Sequence, residues 1–419
     1  MRILVAHNDY GRPSGEEHAL ETLAGLAQRQ GHGIVWLRRS SAEIDHSIAG
    51  NAKAFFAGIH NPWMARRMAK TLDGEKPDLV LVQNLYPLLS PSVLTPCARR
   101  GIPVVMRCPN YRLFCPSGLH LSHGEVCERC LGGREYWCVL RNCERDVVKS
   151  AGYALRGWAA RVSRRILDNV NIVIVLSEFQ KQRFIAQGIP PERIEILPNM
   201  TPAIADGDGQ KAEIAPSSVL RPPSSVPDPS SVHRPPSSGS IAFVGRASPE
   251  KGIEDFVAAA RLLPNLPFAV AGATERMPEL VAASPPNVRW LGFLNRPDLN
   301  RIISESRLVV LSTRCFEGFP NVVTHAMALR KPVVASRIGV LPEIVDEGRT
   351  GLLFETRNVA DLVQKIQALV ADPALCARLG EAGREKALRV YSEDVVAKRF
   401  MEICQKALSA KREAVGGKR

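Results

Sequence analysis

The chain is 419 residues long, 45% hydrophobic and 23% charged, a balance that fits a soluble globular protein with room for two cores of ordinary size. No run approaches the roughly 18 consecutive apolar residues of a membrane-spanning helix, which argues against such a segment. Lysine and arginine (55) outnumber aspartate and glutamate (42), giving a formal net charge of +13. Such a surface attracts anions, yet neither a helix-turn-helix pattern nor an aromatic-basic stacking signature accompanies it, which argues against nucleic acid as a partner.

Met1 leads directly into the strand-like run RILVAH, without the charged lead and apolar stretch of a signal peptide, so a cytoplasmic location is the expectation. A glycine-containing loop follows, then an amphipathic stretch from Glu17 to Arg29 closed by Gly31. The apolar runs DLVLVQ, PVVMR, NIVIVLS and IEILP come next, with helical patterns between them. Such alternation predicts parallel sheets covered by helices on both faces, an α/β fold. Six of the ten cysteines lie between Cys108 and Cys143. Lys149 to Asp168 reads as one helix, with Leu155, Trp158, Ala159, Val162 and Ile166 on one face and Arg156, Arg161, Arg164 and Arg165 largely on others. A basic amphipathic helix of this kind either lies on an anionic membrane or packs its stripe on its own sheet.

From about Thr201 to Gly239 the repeated PSSV and PPSS units carry almost no large apolar residue and predict an extended or disordered linker, with a proline-rich docking site as the alternative. Alternation then resumes with IAFVG, FAVAG, VRWLG, LVVLS and PVVAS. After Asp372 a continuous helical pattern runs from Ala374 to Ala410 and ends in the basic tail KREAVGGKR. The expected domains are residues 1–200 with a cysteine-rich insertion at 108–143, the linker 201–239, a second domain at 240–385, and a C-terminal helix and tail at 386–419 that crosses back to the first domain.

Two segments carry chemistry. Val244, Gly245 and Arg246 end a strand, and Pro249-Glu250-Lys251-Gly252 opens the next helix, so Arg246 and Lys251 place cations where an anion would meet a helix N-terminus. LVVLSTR is then followed by Glu317-Gly318-Phe319, by Pro320 at a helix start, and by a helix from Asn321 to Leu329. Glu317 can accept hydrogen bonds from sugar hydroxyls, and the helix N-terminus can donate to sugar or phosphate.

The series SGEEHAL, PDLVLVQNLYPLLSP, NYRLFCPSG, VLSEFQKQRF, ILPNM, VGRASPEKG, EGFPNVV and GLLF, in this order across both domains, resembles the retaining GT-B glycosyltransferases of the glycosyl transferases group 1, or family four. The resemblance implies two doubly wound, Rossmann-like domains facing a central cleft. It implies transfer of a sugar from a UDP- or GDP-linked donor to a hydroxyl of a cell-surface polysaccharide or glycolipid precursor, with no cofactor for catalysis. Arg246 and Lys251 match the positions that hold the donor diphosphate, beside Gly245, and Glu317 matches the first glutamate of the E-x7-E motif. Gly318, Phe319, Pro320 and Asn321 complete that donor loop. Ser14 and Gly15 match the glycine-rich loop over the diphosphate, and Leu291, Gly292 and Phe293 lie, with Trp290, where relatives contact the nucleobase.

The chain departs from the family pattern at two places. His325 stands where the second glutamate of E-x7-E would grip the ribose, and Pro109 stands where relatives carry a histidine on the acceptor side, leaving Asn110 and Arg107 as candidates there. These departures motivate a second reading, a weak or inactive GT-B protein that binds a nucleotide sugar or glycan in a regulatory role; an epimerase on the same fold fits the motif pair less well. Cys115, Cys127-x-x-Cys130 and Cys143 have the spacing of a structural zinc site, with Cys138 and Cys108 as alternative ligands. Buried free thiols and a redox or iron-sulfur role are the other readings. A glycan or lipid-linked acceptor on the inner face of the plasma membrane is the expected partner, with peripheral association to anionic lipid.

Overall fold

The structure, a computed structural model, is described for residues 1–11, 15–45, 47–201 and 239–416. The linker expected at 201–239 lies outside the described residues except at its two ends, and so does Ser14. Two compact units emerge: one comprises the described parts of Met1–Met200, Cys315–Asn321 and Glu393–Arg419, the other those of Thr201–Arg314 and Val322–Ser392.

In the first unit the strands are β1 (Arg2–Asp9), β2 (Gly33–Ser40), β3 (Leu79–Val82), β4 (Val104–Arg107), β5 (Leu121–Ser122), β6 (Glu125–Val126), β7 (Ile172–Val175) and β8 (Ile194–Ile196). Six of them form a parallel sheet in the order β2-β1-β3-β4-β7-β8, and β5 and β6 form a separate antiparallel hairpin. The central strands are apolar on both faces because helices cover both faces. Ile3, Val5, Leu81, Val105 and Ile174 meet Leu20 and Leu23 of the helix Gly15–Arg29 in one core. The helix Glu393–Gly416 adds Val396, Ala397, Phe400, Ile403, Cys404 and Ala407 to the same core, a stripe at three- and four-residue spacing.

The second unit holds β9 (Ile241–Val244), β10 (Phe268–Ala271), β11 (Val288–Trp290), β12 (Leu308–Leu311), β13 (Val333–Ser336) and β14 (Gly351–Phe354). They form a parallel sheet ordered β11-β10-β9-β12-β13-β14. The chain winds outward from β9 in one direction and from β12 in the other. A crevice therefore opens past the carboxyl ends of β9 and β12, where ligands of open α/β sheets bind. The equivalent reversal in the first unit lies between β1 and β3.

Three expected boundaries are corrected. The segment Lys149 to Asp168 is two helices, Val147–Val162 and Arg165–Asn169, separated where Arg164 takes a left-handed φ of 50°. Val162 and Ser163 are weak helix formers, and the Ser163 hydroxyl donates to the Ala160 carbonyl at 3.3 Å, in competition with the helical ladder. The helix expected to run unbroken from Ala374 to Ala410 is interrupted at Ser392, which is extended (φ −63°, ψ 155°) between Pro373–Tyr391 and Glu393–Gly416. Glu393 and Asp394 favour a new N-terminus there, and the chain changes unit at this point rather than at 385–386. Finally, Cys315–Asn321, expected within the second domain, groups with the first unit.

Candidate active site

In the second unit, Gly245 leaves β9 and the turn Pro249–Lys251 leads to the helix Ile253–Leu262. The residues leaving β12 clamp that turn: Ser312 Oγ donates to the Gly252 carbonyl at 2.8 Å, Thr313 Oγ1 to the Glu250 carbonyl at 3.0 Å, and the Arg314 N–H to the same Glu250 carbonyl at 2.9 Å. Gly252 has φ 65°, and a Cβ there would lie 1.8 Å from the Ser312 carbonyl oxygen, so only glycine fits. Arg314 holds Asp255 through Nε at 3.0 Å and also pairs with Glu254, which fixes the start of the helix. The Asp255 hydrogen bonds raise the Arg314 guanidinium above its ordinary value.

Lys251 is half-buried on this clamped turn, whereas the Arg246 side chain is 57% exposed and lies 3.7 Å from Glu250. A rigid turn, two cations and a following helix N-terminus thus converge on the β9/β12 crevice. This geometry suits a diphosphate.

His325 lies on the helix Asn321–Ala328 and is buried, with Nε2 2.7 Å from Asn300 Oδ1 on the helix Arg296–Glu305. Burial, helped by the nearby Arg296 charge, lowers its pKa to about 4, so the ring is neutral at physiological pH. Of the residues expected near the base, Leu291 is buried with Ala269, Ala271 and Ile302, Gly292 accepts at 2.8 Å from the Gly272 N–H, and Phe293 is 85% exposed. The Trp290 Nε1 is buried without a hydrogen-bond partner.

In the first unit, Phe316 packs against Phe179 at 4.9 Å between ring centres and against His120 at 5.8 Å, with the Arg183 guanidinium over both Phe179 and Phe316. Glu317 follows, half-buried. A Cβ on Gly318 would lie 1.9 Å from the Pro109 carbonyl oxygen, so the backbone at 318 presses directly on the segment that departs from the family pattern. Phe319 and Pro320 are buried, and Asn321 Oδ1 accepts from Asn199 Nδ2 at 2.7 Å. Asn199 in turn accepts from Arg107, whose other terminal nitrogen donates to Gln83 Oε1. Arg107 is only 2% exposed, and burial lowers its guanidinium to about 10. It is a buried cation within a chain of amides, an arrangement that suits positioning rather than direct contact with an acceptor.

Asn110 donates to both carboxylate oxygens of Glu16, at 3.1 and 3.3 Å, and Tyr10 OH donates to Glu16 Oε2 at 2.7 Å. The position Gly15 would give a Cβ lies 3.7 Å from Asn321 Nδ2. The fold thus brings Gly15, Asn110 and the Glu317 loop into one unit. Glu16, Gln83, Asn199 and Asn300 escaped the sequence reading; SGEEHAL, PDLVLVQNLYPLLSP and ILPNM contained three of them, but nothing local marks Asn300.

Among the described residues, one group of three offers metal-ligand atoms within 4.8 Å of one another: His7, Asp9 and Glu17. Asp9 is already engaged by Arg38, with Nη2 2.9 Å from Oδ1, and Glu17 accepts the Tyr10 N–H. The cation of Arg38 disfavours a second cation there. The cysteines expected to ligate zinc do not form a group that tight, although Cys115, Cys127 and Cys143 all act electrostatically on Cys130. Hydrogen bonding with Cys138, and less so with Ser122, lowers the Cys143 thiol to about 6, while burial and neighbouring thiols push Cys130 up to about 12.

Two family models match in sequence order: glycosyl transferase 4-like domain at residues 14–200 and glycosyl transferases group 1 at residues 230–386. The alpha-maltose-1-phosphate synthase of Mycolicibacterium smegmatis is 31% identical over 183 residues, 40% of this chain and 47% of its own length. The chain spans about half the length of the curated relatives it matches. Sucrose-phosphate synthase from Thermosynechococcus elongatus superposes with a TM-score of 0.68 at 17% identity, over 98% of this chain and 99% of that one. HepE of Anabaena, solved in complex with UDP and glucose, gives 0.63 at 16% identity, over 97% and 100%. The chain belongs to the glycosyl transferases group 1 and has the GT-B fold.

Proposed function

We propose that the protein transfers a sugar from a nucleoside-diphosphate donor to a hydroxyl of a cell-surface polysaccharide or glycolipid precursor, with retention of anomeric configuration and without a catalytic metal. The observation that carries this reading is the clamped turn Pro249–Lys251, which fixes Lys251 at the β9/β12 crevice ahead of a helix N-terminus. As the sugar leaves, negative charge grows on the departing phosphate. Lys251, Arg246 and the N–H groups at the start of the helix Ile253–Leu262 would stabilise it, the task that a divalent metal performs in other transferases. Glu317 would hold hydroxyls of the transferred sugar, and Glu16, kept in place by Tyr10 and Asn110, is the carboxylate available toward the acceptor. The nucleotide complex of HepE supports a UDP-linked donor.

The acceptor's lipid character is supported by the helix Val147–Val162. Most of its stripe stays exposed, with Leu155 at 43%, Trp158 at 49% and Val162 at 55%, whereas Ile166, on the next helix, is buried. Lys149 and Arg161 on the same helix, paired with Glu144 and Glu135, add the basic residues that accompany an apolar face on anionic lipid.

The test is incubation with a panel of UDP- and GDP-sugars and a lipid-extract acceptor, following nucleoside diphosphate release, with the anomeric configuration of the product read by NMR and the reaction run with and without added magnesium or manganese. Acceptor-dependent release that needs neither added ion is expected. The second reading, a regulatory binder of nucleotide sugar, draws on His325 being bonded to Asn300; donor binding without release from any sugar would favour it over transfer.

A further inference from the structure

Residues 108–143 hold six of the ten cysteines but little apolar core. Within 111–143 the described strands are the two-residue β5 and β6, and the cysteine end of the segment packs as a small cluster of Cys130, Cys138 and Ala154 with Trp137, Val139 and Cys143 against it. The backbone also takes left-handed conformations at three non-glycine residues, His120, His123 and Asn142. A segment with so little core is ordinarily held by cross-links or a metal.

Packing brings three of the cysteines to one place: Cys130 and Cys143 share a cluster with Cys138, the Cys143 sulfur lies 3.7 Å from Ser122 Oγ, and Ser122 belongs to the hairpin that Cys127 directly follows. Cys138 is almost fully buried against Cys130, its backbone N–H donates to the Glu135 carbonyl at 3.0 Å, and its thiol donates to the Cys143 sulfur. Hydrogen bonds of this sort are what orient and tune metal-bound thiolates from outside the ligand set. Cys127-x-x-Cys130 forms a tight turn, with the Leu131 N–H donating to the Glu128 carbonyl at 3.1 Å.

We propose that Cys115, Cys127, Cys130 and Cys143 bind one structural zinc ion as thiolates, with Cys138 as their hydrogen-bonding support, and that the metal fixes His120 against Phe316. No three of the sulfurs lie within 4.8 Å of one another. Tetrahedral ligation needs about 3.8 Å between sulfurs, and rotation about χ1 carries a cysteine sulfur by about 3 Å. The contacts that ligation replaces are weak, Cys115 Sγ to Ser117 Oγ at 3.3 Å and Cys143 Sγ to Ser122 Oγ at 3.7 Å. An open cavity of about 480 Å³ lined by Ser122, Cys127, Arg129, Arg134, Trp137 and Arg141 gives the ion a route to Cys127.

From the metal the connection to the sugar loop is short. Cys127 is tied to His120 by two contacts, its N–H donating to the His120 carbonyl at 2.7 Å and its carbonyl meeting His120 Nδ1 at 3.2 Å. The His120 ring packs on Tyr111 at 4.8 Å and on Phe316 at 5.8 Å, and Phe316 precedes Glu317. This last link rests on the proposed role of Glu317 in transfer; the ligand set does not.

Purified full-length protein grown with zinc should carry about one zinc per chain by mass spectrometry. Cobalt exchanged into it should show the thiolate charge-transfer band and intense visible bands of a tetrahedral sulfur site. Cys127→Ser with Cys130→Ser should lose metal and bands, whereas Cys376→Ser, in the other unit, should keep both. Chelation should lower transfer about tenfold, with recovery on adding zinc back. Metal-free native protein in which Cys115, Cys127, Cys130, Cys138 and Cys143 all react with a thiol reagent, and which takes up no cobalt, overturns the site whether or not sugar is transferred. One bound zinc whose removal leaves transfer unchanged supports the ligand set and overturns its link to Phe316.

Discussion

His325 Nε2 and Asn300 Oδ1 lie 2.7 Å apart, joining the helix Asn321–Ala328 to the helix Arg296–Glu305. Because the amide oxygen accepts, Nε2 carries the proton and Nδ1 is left with a lone pair. A ribose hydroxyl would therefore meet an acceptor at Nδ1, one hydrogen bond where a glutamate would offer two oxygens. The histidine is part of the packing of the second unit as well as a candidate donor contact.

That packing makes stability depend on pH. The folded-state pKa of His325 is depressed to about 4 from the ordinary 6.5, so the unfolded chain binds the proton more readily. Its contribution is fully present above about pH 6.5 and is lost as pH falls toward about 4, on the order of 2 kcal/mol by about pH 5. Urea melts of the wild type and His325→Gln at about pH 7.5 and pH 5 should show the smaller acid loss in the variant. Equal losses would mean that His325 is not buried neutral.

Gly252→Ala places a side chain at positive φ and against the Ser312 carbonyl. We expect a loss of about 2–4 kcal/mol in the stability of the second unit, with weaker nucleoside diphosphate binding by calorimetry. A variant that melts and binds as the wild type would show that the turn is not clamped.

Lys251→Ala and Glu317→Ala should each lower nucleoside diphosphate release by about a hundredfold or more, while Arg246→Ala, more exposed and only loosely paired with Glu250, should cost less. Turnover unchanged in both of the first two variants would remove these residues from the mechanism.

Arg107→Met deletes a buried cation and leaves Gln83 and Asn199 without their donor. A stability loss of about 2–5 kcal/mol is expected. Asn199→Ala should be milder in stability but should share the catalytic defect, because both changes release Asn321. Thermal melts paired with steady-state kinetics separate the two effects.

Trp158→Glu combined with Leu155→Glu changes two side chains that are already exposed, so melting should stay within about 0.5 kcal/mol of wild type. Flotation with anionic liposomes should be lost. Retained flotation would place the lipid-facing surface elsewhere.

The parallel strands were legible because β-branched runs such as IVIV at 172–175 and LVVL at 308–311 have no other stable home than a doubly covered sheet. β2 was not, because it is the edge strand: Arg38 and Arg39 follow Trp36 and Leu37 and blur the pattern. Lys251 and Glu317 announced themselves through local motifs next to glycines. His325 also stood out, but its partner Asn300 lies 25 residues away on another helix, a separation no local pattern encodes. Likewise the burial of Arg107 depends on Gln83 and Asn199, which meet it only once β3 and β4 are paired and β8 has been passed.

The pressing of Gly318 on the Pro109 carbonyl bears on how such proteins can be recombined. Cys315–Asn321 is written into the second half of the gene, yet it is seated among Pro109, Tyr111, His120, Phe179 and Asn199. A chimera that joins the first 200 residues of one homologue to the remainder of another would inherit a loop cut to a foreign seat. For donor and acceptor preferences to be exchanged intact, this short segment has to travel with the amino-terminal half.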